Sequence, residues 1–257
     1  MLIDGKQVDS MAGKAATITN PATGAAVAEV SMGERADAIL ALEAAARALP
    51  EWSRVDPRER GDLLRLGAEA VRDGIEEIAR LLTAEQGKPL RFARREVESS
   101  AEALDYYAGE GERISGEVVP VSRASRSLVI RQPLGVAAII SPWNYPADLL
   151  AWKLAPALAA SCTVVAKPSS HTPLAATRFV VALAEAGLPR GPQPRPRFGA
   201  GSRQRAGGEL HPPEGLLNRV DGYGEVDYGA GGSDPQAAIP GAGGQLSRNR
   251  LRGRRNR

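Results

Sequence analysis

Cysteine and histidine are scarce in this chain of 257 residues. Cys162 is the only cysteine, which excludes a disulfide framework and favours a reducing compartment, so we expect the cytoplasm. The two histidines, His171 and His211, are too few and too scattered for a metal site, and we predict no metal centre. No apolar run is long enough to span a membrane, and the N-terminus lacks the layout of a secretory signal, so we expect no membrane association.

Charge and small residues are distributed unevenly along the chain. Residues 191–257 contain eleven arginines, no lysine and six acidic residues, a net charge of +5, so the preceding residues carry about −2 of the total +3. The same stretch holds 15 of the 28 glycines and 7 of the 19 prolines, without helical or strand periodicity. This composition predicts a Gly/Arg/Pro-rich, disordered C-terminal tail.

Before this tail, local signals first predict helices. Apolar residues recur at helical spacing over residues 36–49. Asp56–Glu59 has the pattern of a capping box with proline at the first helical position, and it predicts one long amphipathic helix that includes Ile78. A further helix is predicted at about residues 90–107.

The rest of the region before the tail alternates between strands and helices. Strands are predicted at residues 118–119, 127–130, 136–140 and 163–166, and helices at residues 146–160 and 172–187. Short apolar runs that alternate with helices are typical of parallel strands. We therefore predict an α/β fold in which an N-terminal helical block packs on an incomplete, Rossmann-like parallel sheet.

Two segments share one design, Ile139–Pro146 and Val164–Pro173. Each is an apolar β-branched run, then a polar turn, then a proline placed to open a helix. In open α/β sheets such turns lie at the carboxyl ends of the strands, where ligands bind. The two segments closely resemble signature segments of the NAD(P)-dependent aldehyde dehydrogenase superfamily, particularly succinate-semialdehyde-type members. The resemblance extends from about residue 15 to about residue 190.

This resemblance implies an oxidoreductase with NAD or NADP as cofactor and a small-molecule aldehyde as substrate, for which succinate semialdehyde is the candidate. Family chemistry consists of thiolate attack on the aldehyde, hydride transfer to the nicotinamide and hydrolysis of the thioester by a glutamate base. Asn144 matches the family amide that stabilises the oxyanion, a neutral donor fixed where negative charge develops. Taken by itself, Asn144 could equally form an Asx-turn before Pro146.

The resemblance also implies cofactor-binding residues. Lys167 matches the family lysine that holds the adenosine ribose, although alone it could be a solvated charge. Ser170 stands where many NAD-preferring members have a glutamate that binds the ribose 2′-hydroxyl. A small neutral residue does not repel a 2′-phosphate, so NADP is tolerated. Ser141, Pro142 and Trp143 are predicted to line the cofactor site, and the alternative for Pro142 and Trp143 is packing at a strand end.

The catalytic cysteine of the family has no counterpart in this sequence. Cys162 enters the second strand among apolar neighbours, and a buried cysteine of that kind is unreactive, so we do not assign it as the nucleophile. Beyond Gly191 the family strand Val-Leu-Asn-Leu-Val, the Gly-Ser-Thr helix start for the pyrophosphate, and Leu-Glu-Leu-Gly-Gly with the general base are all missing. The chain is therefore predicted to be inactive.

A reading-frame slip near Gly191 accounts for these departures. Read one base downstream with suitable synonymous codons, Gly191–Arg197 becomes Val-Leu-Asn-Leu-Val-Pro-Gly, and Asn218–Glu225 becomes Thr-Gly-Ser-Thr-Ala-Thr-Gly-Lys. Pro240–Asn249 becomes Leu-Glu-Leu-Gly-Gly-Asn-Ser-Pro-Ala-Ile. Because first and second codon bases are largely fixed, three family motifs in the right order are not expected by chance. We therefore interpret residues 191–257 as out-of-frame translation.

These inferences define two domains and two hypotheses. Residues 1–190 form a partial cofactor-binding domain, and residues 122–133 belong to a segment that forms an oligomerisation sheet in relatives. The partner of that segment is missing, so homo-oligomer assembly is doubtful. The arginine-rich end is not interpreted as a nucleic-acid arm. Either the gene encodes an aldehyde-oxidising enzyme, or this polypeptide is a non-catalytic remnant, from a pseudogene or a sequencing error, with at most weak nucleotide binding.

Overall fold

The structure is a computed structural model that describes residues 1–188 and 218–220. The chain begins with strands β1 (Leu2–Ile3), β2 (Lys6–Gln7), β3 (Ala15–Thr19) and β4 (Ala26–Gly33). Helices α1 (Arg35–Trp52), α2 (Pro57–Asp73), α3 (Ile75–Gln86) and α4 (Leu90–Glu112) follow. After strands β5 (Glu117–Pro120) and β6 (Arg126–Val129) come β7 (Val136–Ile140), α5 (Asp148–Ala159), β8 (Thr163–Lys167) and α6 (Pro173–Glu185). Strand β9 is Asn218–Val220.

Strands β7 and β8 are parallel, and α5 connects them. Their register runs from Val136 opposite Thr163 to Ile140 opposite Lys167. Among the described residues each of these strands pairs only with the other, so both have an unpaired edge. The mixed α/β fold and the incomplete parallel sheet predicted from the sequence are confirmed.

The core is formed mainly by helices. Leu64, Ile78, Leu104 and Phe179, from α2, α3, α4 and α6, are completely buried in one cluster, together with residues of α5. Burial of apolar side chains on this scale is the main term that stabilises the arrangement. The helices thereby fix the positions of β7 and β8, with Ile139 of β7 included in the cluster.

The N-terminal region differs from the prediction. Residues 1–33 contain β1 to β4, which were not predicted from the sequence, and the predicted helical block begins only after them. The long helix predicted to include Ile78 is two helices, because Gly74 leaves helical geometry with ψ of 8° and separates α2 from α3. Helix α2 begins at Pro57 as predicted, but Asp56 makes no side-chain capping hydrogen bond.

Strand β9 lies in the stretch predicted to be disordered. It pairs in parallel with β4, with Ser31 opposite Asn218 and Gly33 opposite Val220. Since β3 occupies one edge of β4, the N–H and C=O groups on the other edge are free to accept a second strand. The structure describes these three residues as a strand, and the prediction for the rest of residues 191–257 lies outside the described part of the chain.

Candidate functional site

The two signature segments meet at one edge of the parallel pair. Ile140 lies opposite Lys167 at the carboxyl ends of β7 and β8, and the backbone N–H of Ser141 donates to the carbonyl oxygen of Lys167 at 3.1 Å. The turns that follow the two strands therefore start side by side, as their sequence design predicts.

Asn144 lies in the loop of residues 141–147 between β7 and α5, which we call the Asn144 loop. Asn144 is exposed, and none of the described residues hydrogen-bonds to its side-chain amide. The Asx-turn alternative is not what the structure contains, because it would require a bond from that side chain to nearby backbone. The amide is left available for an external acceptor.

The backbone of the Asn144 loop is held from outside. Gln86 Nε2 donates to the carbonyl oxygens of Trp143 at 2.6 Å and of Asn144 at 2.9 Å. Lys88 Nζ donates to the Asn144 carbonyl at 3.1 Å. Gln86 and Lys88 were not predicted from the sequence to contact this loop. Their only local signal is that they are polar residues next to a glycine and a proline at a helix end, and this pattern does not indicate a distant contact.

Lys167 ends β8 and Ser170 lies on the turn after it, and the two residues line different cavities. Lys167 is the last residue of β8, is half-buried, and borders an apolar cavity of about 200 Å³ along that strand. Ser170 borders a cavity of about 310 Å³ whose lining also includes Thr17–Thr19 of β3 and Trp143. The Lys167 ammonium has no acceptor among the described residues, so its charge is available to a ligand.

The start of α6 is capped by a side chain from far away in sequence. Thr172 is the predicted cap, but its hydroxyl is buried and finds no partner among the described residues. Instead the Glu85 carboxylate accepts from the backbone N–H groups of Leu174 at 2.7 Å and Ala175 at 2.9 Å. Burial raises the pKa of Glu85 to about 8, and the negative charge of Glu96 acts in the same direction, whereas the two backbone bonds oppose the rise.

Glu85 therefore occupies the N-terminus of α6, which would otherwise attract a phosphate. A phosphate group is therefore not received at the start of this helix. One polar group beside the strand ends has no hydrogen bond, because the Ser141 hydroxyl is buried without a partner in the described residues. Among the described residues, the Ser141 hydroxyl and the Lys167 ammonium are thus polar groups left without a partner near the strand ends.

Cys162 lies at the opposite end of β8 from this site. It is 6% exposed and precedes Thr163 at the amino end of the strand, where its thiol donates weakly to the Ala160 carbonyl at 3.9 Å. Lys167 lies five residues further along the chain, a distance of about 16 Å at ~3.3 Å per residue. A thiol in that place cannot attack a carbonyl carbon held at Asn144.

Neither a metal-binding group nor a membrane-spanning helix occurs in residues 1–188 and 218–220. These residues contain no group of three or more His, Cys, Asp or Glu side chains arranged to hold a metal ion. Within the same residues, no helix combines the length and apolar character needed to cross a bilayer.

Polar turns at the carboxyl ends of a parallel strand pair are typical of ligand-binding α/β domains. The family model for the aldehyde dehydrogenase family matches residues 8–192, which is more than half of the chain. The chain belongs to the aldehyde dehydrogenase family. This result confirms the resemblance on which the site residues were selected.

Three relatives illustrate the similarity. Succinate-semialdehyde dehydrogenase (NADP(+)) GabD of Escherichia coli K12 is 41% identical over 191 residues, which cover 74% of this chain and 40% of that protein. Glutarate-semialdehyde dehydrogenase of Pseudomonas putida is 38% identical over 228 residues, 88% of this chain and 47% of that protein. The crystal structure of PnpE in complex with nicotinamide adenine dinucleotide has a TM-score of 0.71 at 40% identity, over 73% of this chain and 39% of PnpE. The chain spans less than half the length of these relatives.

Proposed function

We propose that the gene from which this chain derives encodes an NAD(P)-dependent aldehyde dehydrogenase that oxidises a semialdehyde to the carboxylate. The observation that carries the proposal is the exposed, unengaged amide of Asn144, which lies on the turn directly after β7 and inside the family match. An amide donor fixed at this point can stabilise the negative charge that develops on the aldehyde oxygen.

The other residues at the strand ends have binding roles in this proposal. Lys167 holds the adenosine ribose hydroxyls, and Ser141, Pro142 and Trp143 line the nicotinamide portion. When bound, the nicotinamide accepts the hydride of the substrate. Ser170 leaves room for a 2′-phosphate without repelling it, which supports use of NADP as well as NAD, and one relative is named for NADP(+). The semialdehyde substrate class is taken from two relatives.

We further propose that this polypeptide is itself inactive because its frame slips near Gly191. The family match ends at residue 192, next to the proposed slip. The genetic code allows few amino acids at each position when the tail is read one base downstream. For example, Asp221 and Gly222 have codons beginning GA and GG, and reading from the second base of the first gives A-C-G, a threonine codon, when the third base is cytosine. This threonine falls in the Gly-Ser-Thr motif of the shifted frame.

For part of the tail, one observation favours the reading frame of the sequence as it stands. The match to the Pseudomonas putida relative covers 88% of the chain, so it reaches well beyond residue 192 even if it begins at Met1. Leu216–Val220 reads Leu-Leu-Asn-Arg-Val, which shares three positions with the family strand Val-Leu-Asn-Leu-Val, and it contains β9. A non-catalytic chain with native-like residues near β9 is therefore the second candidate.

The domain assignment follows from the proposed slip. Residues 1–190 are a partial cofactor-binding domain, and residues 122–133, which include β6, are an oligomerisation segment. The cytoplasm remains our proposal for the compartment, on the strength of a single buried cysteine.

DNA sequencing across codon 191, combined with an activity assay, tests the proposal. We expect no reduction of NAD or NADP, measured by absorbance near 340 nm, when this chain is given succinate or glutarate semialdehyde. A frame-restored chain should gain turnover, and Asn144→Ala should then lower kcat by about 10²–10³-fold. Turnover by the 257-residue chain, or an unaffected Asn144→Ala variant, would contradict the proposal.

A further inference from the structure

The connection between α3 and α4 approaches the Asn144 loop with polar side chains. Gln86 and Lys88 donate to the carbonyls of Trp143 and Asn144, as described above. These two carbonyls belong to the peptide units on either side of the Asn144 Cα atom. Because each peptide unit is planar, holding both units restricts φ and ψ of Asn144 and hence the direction of its Cα–Cβ bond.

Lys88 is at the centre of this arrangement. Its ammonium contacts the Glu96 carboxylate, donates to the Asn144 carbonyl, and lies 4.0 Å from the centre of the Tyr145 ring. These three partners match the three N–H donors of an ammonium group. The Lys88 side chain is 13% exposed and that of Glu96 is fully buried, so solvent screens this ion pair weakly.

Glu96 holds the far end of the same loop. Its second oxygen, Oε1, accepts from the backbone N–H of Ala147 at 3.1 Å, one residue before α5 begins. One ion pair therefore contacts the loop at Asn144, at Tyr145 and at Ala147. Burial raises the pKa of Glu96, whereas the ammonium of Lys88 and the backbone N–H groups of Ala147 and Asp148 favour its charged form.

Packing does not hold the outer side of the loop. Trp143 is 57% exposed and Tyr145 is 49% exposed, and an open cavity of about 580 Å³ lies between them and α4, where Phe92 and Arg95 line it. A loop without apolar cover on one side depends on its polar contacts for a single conformation. In the described residues, these contacts come mainly from Gln86, Lys88 and Glu96.

We propose that Gln86, Lys88 and Glu96 are positioning residues that hold the Asn144 loop so that the Asn144 amide points at the reacting oxygen. This inference rests on the proposed role of Asn144, which supplies the donor. The three residues touch neither substrate nor cofactor in this role, and they act through the loop backbone. Oxyanion stabilisation depends on donors that are fixed before the reaction, which is what these contacts provide.

Fluorine NMR of the 257-residue chain labelled with 5-fluorotryptophan tests the proposal. Trp143 reports on the loop, and Trp52, which is 4% exposed and donates to the Leu158 carbonyl, reports on the core. The Trp143 signal is assigned with Trp143→Phe. In Lys88→Met we expect this signal to shift and broaden while the Trp52 signal stays in place.

Two further variants keep the test decisive. Gln86→Leu should also shift the Trp143 signal. If Lys88→Met unfolds and loses the Trp52 signal, the Gln86→Leu result alone decides the test. Arg94→Met is the matched control, because Arg94 bonds Glu76 across α3 and α4 without touching the loop. An unchanged Trp143 signal in Gln86→Leu, with Trp52 intact, overturns the proposal, as does an equal shift in Arg94→Met.

A kinetic arm separates this inference from the proposed function. In the frame-restored chain, Lys88→Met should lower kcat by about tenfold or more and change KM for the cofactor less, since the transition-state contact of Asn144 is lost while Lys167 still holds the adenosine ribose. If Asn144→Ala leaves kcat intact, Asn144 does not stabilise the oxyanion and the proposed function is wrong. The fluorine spectra still test whether the three residues hold the loop. If Asn144→Ala is inactive but Lys88→Met retains full kcat, the positioning role fails alone.

Discussion

Glu85 at the end of α3 accepts a hydrogen bond from the backbone N–H of Leu174 in the first turn of α6, although 89 residues separate them. The bond joins the helical block to the turn after β8, where Ser170 lies. Both oxygens of this carboxylate are used, since the second accepts from Ala175. The position of the second signature segment therefore depends on a buried acid whose charge state depends on pH.

We predict that the folded chain loses stability as pH rises from about 5 to 8. Burial raises the pKa of Glu85 from 4.5 to about 8, so in this window the folded state binds more protons than the unfolded state. The contribution of Glu85 is fully present below pH 4.5 and is lost as pH rises through 8. Thermal denaturation monitored by circular dichroism across this range should show Tm falling with pH.

Glu85→Gln should reduce this slope. The slope should not disappear, because burial also raises the pKa of Glu96 and this carboxyl contributes in the same direction. Glu69→Gln, at an exposed position on α2, is the control and should leave the slope unchanged. If Tm is the same at pH 5 and pH 8 in the parent chain, the buried acid is not linked to folding as we infer.

The cofactor assignment predicts a change of preference in Ser170→Glu. A carboxylate within about 4 Å of a 2′-phosphate costs about 1–4 kcal/mol at effective dielectric constants between those of water and the protein surface. NADP affinity should therefore fall at least about fivefold relative to NAD affinity. Titration calorimetry on the frame-restored chain measures both constants.

Ser170→Gln is the matched control, because it has nearly the same size without the charge. It should lower NADP affinity much less than Ser170→Glu does. Equal losses for the two variants would attribute the effect to bulk and would remove the argument for 2′-phosphate tolerance at this position.

Local sequence patterns were sufficient to predict the two strands that position the site residues. The apolar runs before Ser141 and Lys167, each followed by a polar turn and a proline, predicted β7 and β8, and their parallel pairing followed from the helix between them. Strands β1 and β2 were missed because each is only two residues long and gives no periodic signal. Strands β3 and β4 are longer, but their mixed exposure obscures the alternation of a half-buried strand.

The contacts that hold the site could not be predicted from local sequence. Glu85 and Glu96 look like ordinary helix-surface acids, and single-sequence reasoning expects acidic side chains to be exposed. Their burial depends on α6 and on the Asn144 loop, which come tens of residues later in the chain. Lys88 and Glu96 are eight residues apart, and only the turn at the start of α4 brings them together.

Exposed apolar surface predicts poor solution behaviour of the 257-residue chain. The hairpin of β5 and β6 exposes Val118 by 65% and Leu128 by 70%, and Ile130 and Leu134 beyond it are 70% and 101% exposed. Together with the unpaired edges of β7 and β8, this surface favours association. Size-exclusion chromatography with light scattering should detect aggregates or mixed oligomers, and calorimetry should give a broad transition.

Val118→Lys combined with Leu128→Lys tests the contribution of the hairpin. The pair should lower the aggregated fraction, while Arg123→Lys, in the turn between the two strands, should not. A monodisperse monomer with a sharp cooperative transition in the parent chain would contradict the expectation that this surface needs a partner.

Replacing the only cysteine should affect packing and leave catalysis unchanged. Cys162 is buried at the amino end of β8, about 16 Å along the strand from the Asn144 end by the ~3.3 Å rise per residue. Cys162→Ala should lower the free energy of unfolding by about 1 kcal/mol through lost contacts. In the frame-restored chain it should retain full kcat, in contrast to Asn144→Ala. If kcat falls by more than about tenfold in Cys162→Ala while the melting curve is unchanged, the thiol takes part in the reaction and the distance argument fails.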